Sequence, residues 1–252
     1  MFFARPGVYK PCGIFNTKHL ILFIITTLII AIAAKFTNIK KKENVRRVIR
    51  ILTANVWILE IVRIVYLIAV GEGAQINRTV PLYYCSLLLY AGLLSSIGKG
   101  ALKRAGDVFL ATGSIIGGLV FLIFPTTSLP EYPMFHFISL HSFLFHGIMI
   151  YLGIIINKSK YIELSLADLK YYAGLVAIVC ALACVVNLKF GSNLMFISQD
   201  FPGTLISNVY KDTKGPLFTL IMCSIQMTVP FLMIYGILQL KTISVKRLCN
   251  TK

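Results

Sequence analysis

Acidic residues are scarce in this 252-residue chain. Nine Asp and Glu stand against 25 Lys and Arg, and charged residues of both signs make up only 13% of the total. An ordinary soluble domain draws about 25% of its residues from these four types, so the deficit argues against a large water-exposed surface. There is a single Trp, and no basic face is interleaved with aromatic residues, so the formal charge of +16 does not read as a nucleic-acid surface. The cysteines Cys12, Cys85, Cys180, Cys184, Cys223 and Cys249 lack the spacing of a disulfide framework or a zinc site. No internal repeat is evident, which argues against an inverted-repeat transporter plan.

What the chain does have is apolar length. Apolar residues make up 57% of it and the mean hydropathy is +0.81. A bilayer crossing takes about 20 apolar residues, and such runs recur with short polar connections. The fold class is therefore all-α, a polytopic membrane helix bundle of about seven transmembrane helices, forming a single integral membrane domain over residues 1–252. The expected spans cover residues 19–34, 49–70, 80–97, 105–124, 134–156, 169–188 and 216–240. No small-residue cleavage site follows the first, which reads as a retained helix. Pro81 opens the third in a first-turn position, and Pro125, Pro130 and Pro133 separate the fourth from the fifth.

Basic residues concentrate in alternate connections. Lys35, Lys40, Lys41, Lys42, Arg46, Arg47 and Arg50 lie near the connection after the first span, Lys99, Lys103 and Arg104 follow the third, Lys158, Lys160 and Lys170 the fifth, and Lys241, Lys246, Arg247 and Lys252 the seventh. The positive-inside rule places these in the cytoplasm, with the N-terminus outside and the C-terminus inside; without the short first span the chain would have six spans and both ends inside.

Polar groups inside spans are costly and mark function by default. Counted along the helical rise, Cys85 lies about 6 Å below the outer surface, His141 about 10 Å, and Glu60 about 15 Å, with His146 deeper. All fall in the outer half, where a convergent site is geometrically possible. His136, His141 and His146 are five residues apart, so successive rings differ by about 140° around the helix and form no same-face metal triad. His146 shares a face with Ser142 and Ser139. A cysteine needs a nearby imidazole to become a nucleophile at neutral pH. Cys85 with His141 or His146 meets that need, and the competing reading makes all three packing residues. Glu60 and Arg63, three apart, read as an internal ion pair, as a carboxylate orienting a histidine, or as a phosphate-binding arginine. Asn187 and Asn193 flank Gly191 and read either as a helix terminus or as a loop at the site mouth. Gly113 and Gly117 permit close helix packing or line a groove. The last span carries no lysine before Lys241, so a retinal Schiff base is not supported.

The segment Val80-Pro81-Leu82-Tyr83-Tyr84-Cys85 resembles the Pro-Leu-x-x-Cys signature of YwaF-type integral membrane proteins, which belong with the transmembrane protein 164 family. Glu60-x-x-Arg63, Phe124-Pro125, His141-Ser142-Phe143-Leu144-Phe145-His146 and Gly191-Ser192-Asn193 follow the same pattern in order, over roughly residues 45–240. The resemblance implies a cysteine-dependent lipid acyltransferase. Cys85 would carry a fatty acyl group from a phospholipid as a thioester and pass it to a lysophospholipid, with His141 favoured as base and His146 the alternative. Glu60, Arg63, Tyr83, Ser142 and Asn193 would bind substrate or support the site. The family usually has His two positions before the cysteine, where this chain has Tyr83. No cofactor or metal is implied. The Lys- and Ile-rich chain resembles bacterial members, so a plasma-membrane location is expected. Two other functions stand beside this one: a non-catalytic transporter or solute-binding protein using Glu60 and Arg63, and a structural membrane partner using the small-residue face around Gly113.

Overall fold

A computed structural model describes residues 1–250, except for the side chains of residues 205 and 242–250; Lys246, Arg247, Cys249 and Lys252, singled out in the sequence, lie outside the described residues. Among the described residues there is no strand. The helices are α1 (Thr17–Phe36), α2 (Lys42–Ala69), α3 (Ile76–Thr79), α4 (Leu87–Ile97), α5 (Gly100–Ala111), α6 (Gly113–Ile123), α7 (Phe137–Lys158), α8 (Leu169–Phe190), α9 (Leu205–Thr213) and α10 (Gly215–Asn250). Among the described residues six stretches are long and apolar enough to cross a membrane: α1, α2, α5 continued by α6, α7, α8 with the turn before it, and α10 up to Lys241. The molecule is a polytopic helical bundle whose lipid-facing surface carries exposed Ile, Leu and Val from nearly every helix.

The third expected span differs from its reading. Only Leu87–Ile97 is helical, about 16 Å of rise, or half a hydrocarbon core. Residues 80–86 are irregular, although Pro81 could have started a helix. Side-chain hydrogen bonds, two local and one tertiary, hold them otherwise. Tyr90 Oη donates to the Pro81 carbonyl at 2.9 Å, Tyr83 Oη to the Asn77 carbonyl at 2.9 Å, and the Tyr84 and Tyr172 hydroxyls meet at 2.6 Å. Irregular backbone at membrane depth persists only where protein or a polar cavity surrounds it, and both conditions hold here.

Two further irregularities have local causes. Between α5 and α6, Thr112 leaves helical geometry (φ −125°, ψ −76°). Its Oγ1 donates to the Val108 carbonyl at 2.7 Å and Ser114 Oγ donates to the Leu110 carbonyl, the back-bonding that bends helices. In α10, Pro230 has no N–H to give the Gln226 carbonyl; that carbonyl accepts from Tyr172 Oη at 3.2 Å instead.

Glycine sets the tightest approaches. A Cβ on Gly118 would lie 2.8 Å from the His146 carbonyl, so α6 rests directly on α7 there. Gly113 and Gly117, read as a helix-packing pair, both face Tyr84, and Gly117 also meets Met149 of α7. At the same end of the bundle as Tyr132 and His136, the N-terminal tail crosses over the 124–136 connection. Cys12 N–H donates to the Tyr132 carbonyl at 2.9 Å and Phe137 N–H to the Phe2 carbonyl at 2.9 Å.

Candidate functional site

The C-terminal ends of α2 and α6, the loop that follows α8 and the N-terminal halves of α7 and α10 surround a cavity of about 720 Å³. The eight residues that the resemblance assigns to the site all line it: Glu60, Arg63, Tyr83, Cys85, His141, Ser142, His146 and Asn193. They arrive on four different supports.

Glu60 and Arg63 share one face of α2 and form a bidentate pair, with Nε to Oε2 at 2.9 Å and Nη2 to Oε1 at 2.5 Å. Arg63 Nη1 also donates to the Arg78 carbonyl at 2.6 Å. The internal ion pair read from their spacing is formed. Its members still reach others: the carboxylate lies 3.9 Å from His141 Nε2, and Cys85 interacts electrostatically with both Glu60 and Arg63.

Cys85 sits on the irregular segment just before α4, half-buried. Its sulfur is within reach of its own N–H and that of Ser86. The N–H groups of Tyr84, Cys85 and Ser86 donate to no carbonyl or side-chain oxygen among the described residues. The helix that follows has its positive pole here. Amides that donate to no oxygen of the protein are placed to meet negative charge that develops on an oxygen beside the sulfur.

The two histidines of α7 differ in how they are held. His141 is buried and neither ring nitrogen has a hydrogen-bond partner among the described residues. His146 lies flat on Phe121, ring centroids 3.7 Å apart at 10°. Its Nδ1 is 2.7 Å from the Ser142 carbonyl, which can only accept, so Nδ1 carries the proton and Nε2 keeps a lone pair. His136, the third member of the five-residue series, stands outside the cavity. Its Nδ1 accepts the Ile138 N–H at 3.1 Å as the N-cap of α7 and its Nε2 contacts the Ala4 carbonyl at 3.0 Å. Burial lowers its pKa below the usual value of about 6.5. Beside it, burial pushes the Tyr132 hydroxyl up to about 12.

Tyr83 and Asn193 line the cavity but are committed elsewhere. Tyr83 packs its ring on Phe196, centroids 5.1 Å apart. Asn193 folds its own loop: Oδ1 accepts from Ser198 and Gln199 N–H at 3.0 Å each, and its backbone N–H donates to Asn77 Oδ1 at 2.8 Å. Asn187 closes α8 in the same manner, accepting from Ser192 Oγ at 2.7 Å and Leu194 N–H at 2.8 Å past a left-handed Gly191.

Gln226 was missed by the sequence reading. Its Nε2 donates to the Met195 carbonyl at 3.0 Å, while Oε1 is buried in the cavity wall without a partner. An amide about 15 Å into the last span is a costly polar group by the same criterion that flagged Glu60. Tyr84, whose hydroxyl meets Tyr172, escaped because an aromatic residue in a span carries no comparable signal. No group of three His, Cys, Asp or Glu among the described residues could hold a metal ion.

A profile described as the TMEM164 family matches residues 14–236, a stretch that holds the whole cavity wall. The chain belongs to the TMEM164 family. As a TMEM164-family member it is an integral, multi-pass membrane protein. The matched stretch begins ahead of α1 and extends well beyond the signature segments. No curated protein and no solved structure matches the chain.

Proposed function

We propose that this TMEM164-family protein is a phospholipid acyltransferase that works through a thioester on Cys85. The observation that supports it best is the setting of that sulfur. It lies beside backbone N–H groups that donate to no oxygen among the described residues, in a cavity large enough for lipid atoms and lined by His146 and by His141, whose ring nitrogens have no hydrogen-bond partner among the described residues.

In the first half-reaction His141 takes the thiol proton, directly or through a water, and the thiolate attacks the ester carbonyl of a phospholipid. A C–S bond forms, the ester C–O bond breaks, and the developing oxyanion is met by the free amides of residues 84–86. The leaving lysophospholipid oxygen takes the proton back from His141. In the second half a lysophospholipid hydroxyl gives its proton to His141 and attacks the thioester carbonyl; a C–O bond forms, the C–S bond breaks, and the released thiolate takes the proton from His141. His141 is favoured over His146 because it and Cys85 both neighbour the Glu60–Arg63 pair, whereas His146 is fixed by its stack and its bond to Ser142. Tyr83 occupies the position where the family usually has His, and its ring contact gives it a shaping role.

A transporter reading would require Glu60 and Arg63 to engage a solute. Their bidentate closure on each other favours acyl transfer. We further place the basic turns in the cytoplasm and the cavity at the outer surface, consistent with the positive-inside rule.

The test is acylation of purified protein with phospholipid bearing a radiolabelled acyl chain. Label should be retained on the wild type, be released by hydroxylamine, and be absent from Cys85→Ser. Equal label on Cys85→Ser would sink the thioester mechanism. His141→Ala should slow labelling by roughly 10²–10⁴-fold, and His146→Ala by less.

A further inference from the structure

We infer a second lipid site, independent of the acyl-transfer reading. A groove between α1, α2 and α7 holds one chain of an anionic glycerophospholipid, whose phosphate rests on the basic turn joining α1 to α2.

The groove exists because two consecutive helices do not close on each other. α1 packs on α7 and α2 packs on α4 and α7, but α1 and α2 scarcely touch. The space left above α7 is about 460 Å³, lined by Ile25, Ile29 and Ala33 of α1, Val48 and Ile51 of α2, and Phe143 of α7. In water such an apolar gap would be driven shut. In a bilayer the lipid chains are as apolar as the helix faces, so nothing drives closure and a chain fills the gap. Along α1 the lining runs from Leu22 to Ala33, about 16 Å at the helical rise. That is close to half of a hydrocarbon core of about 30 Å, the depth of one leaflet.

Charge identifies the head group. Lys35, Lys40, Lys41, Lys42, Arg46 and Arg47 are all exposed at the end of the groove. None of them pairs with a carboxylate among the described residues. Arg47 stands one turn before Ile51, on the groove face of α2. Three of the lysines crowd the N-terminus of α2, the positive pole of its dipole, where cations destabilise a helix, and only Glu43 in its first turn offsets them. A phosphate seated there relieves that repulsion, and each basic residue near an anionic head group adds attraction.

The experiment titrates the detergent-purified protein with phosphatidylglycerol and, separately, phosphatidylcholine, counting bound lipids by native mass spectrometry. The first phosphatidylglycerol should bind at least about tenfold more tightly than the first phosphatidylcholine. In Lys41→Gln/Lys42→Gln/Arg47→Gln the ratio should fall toward one. Ala33→Trp, which fills the groove, should remove the first bound lipid of either kind. Equal affinities in the wild type would overturn the site, as would a preference that survives the triple substitution. The triple variant alters only exposed side chains, so it decides the matter even if Ala33→Trp fails to fold. Loss of thioester formation in Cys85→Ser would leave this result untouched.

Discussion

Glu60 is 5% exposed, and its carboxylate is matched by a single guanidinium. Removing one partner of such a pair strands the other charge out of water, which in proteins generally costs about 3–5 kcal/mol. Glu60→Gln should therefore lower the thermal midpoint in detergent sharply. Replacing both, as Glu60→Leu/Arg63→Met, should recover most of the loss, because an apolar pair of similar volume leaves nothing unpaired. A double variant no more stable than the single would place the carboxylate's importance outside the pair. His136 gives a pH effect at the same scale. Its Nδ1 must stay unprotonated to accept the Ile138 N–H, and burial lowers its pKa in the folded protein. The folded state thus binds fewer protons than the unfolded one. The contribution is full above about pH 6.5 and is lost as pH falls through the lowered folded value. His136→Asn, an N-cap that does not titrate, should narrow the drop in thermal midpoint between about pH 7 and pH 5. An unchanged pH profile would exclude this assignment.

At the scale of helices, two glycines make opposite forecasts. A Cβ on Gly118 would press on Ile150 and on the His146 carbonyl. Gly118→Ala should destabilise the bundle by about 1–3 kcal/mol, the usual range for an overpacked contact, and should slow acylation by shifting the α7 turn that carries His146. Gly174 of α8 has nothing within 4 Å of the same position, so Gly174→Ala should stabilise by up to about 1 kcal/mol through helix propensity. Both are read by thermal unfolding. Hydropathy made α1, α2, α7, α8 and α10 legible, because an apolar run of span length has few alternatives in a membrane. It misread residues 80–86, where every residue type is compatible with a helix. What holds the chain out of a helix there is a set of side-chain bonds, two of them local (Tyr83 to the Asn77 carbonyl and Tyr90 to the Pro81 carbonyl) and one, between Tyr84 and Tyr172, made only by folding. The candidate site was legible to the extent that depth along a helix is arithmetic. Glu60, Cys85 and His141 could be placed at similar levels, but the closure of Glu60 on Arg63 and the commitment of Asn193 to its own loop depend on rotamers and loop path. Gln226 was within reach of the same arithmetic.

For the whole molecule the decisive question is which side of the membrane the cavity faces. The basic turn at Lys40–Lys42 lies at one end of α2, and the cavity residues Glu60 and Arg63 lie toward the other. The two features therefore sit at opposite faces of the bundle, and one measurement fixes both. Lysines and arginines are retained on the cytoplasmic side during insertion, so the cavity should face out. Cys85 is the natural reporter because it is half-buried in the cavity wall. In a variant with Cys85 as its sole cysteine, a membrane-impermeant maleimide applied to intact cells should label the protein, and prior exposure to a phospholipid acyl donor should block it. Labelling only after permeabilisation would invert the topology. The anionic lipid of the α1–α2–α7 groove would then be drawn from the outer leaflet, and the acyl donor from the inner.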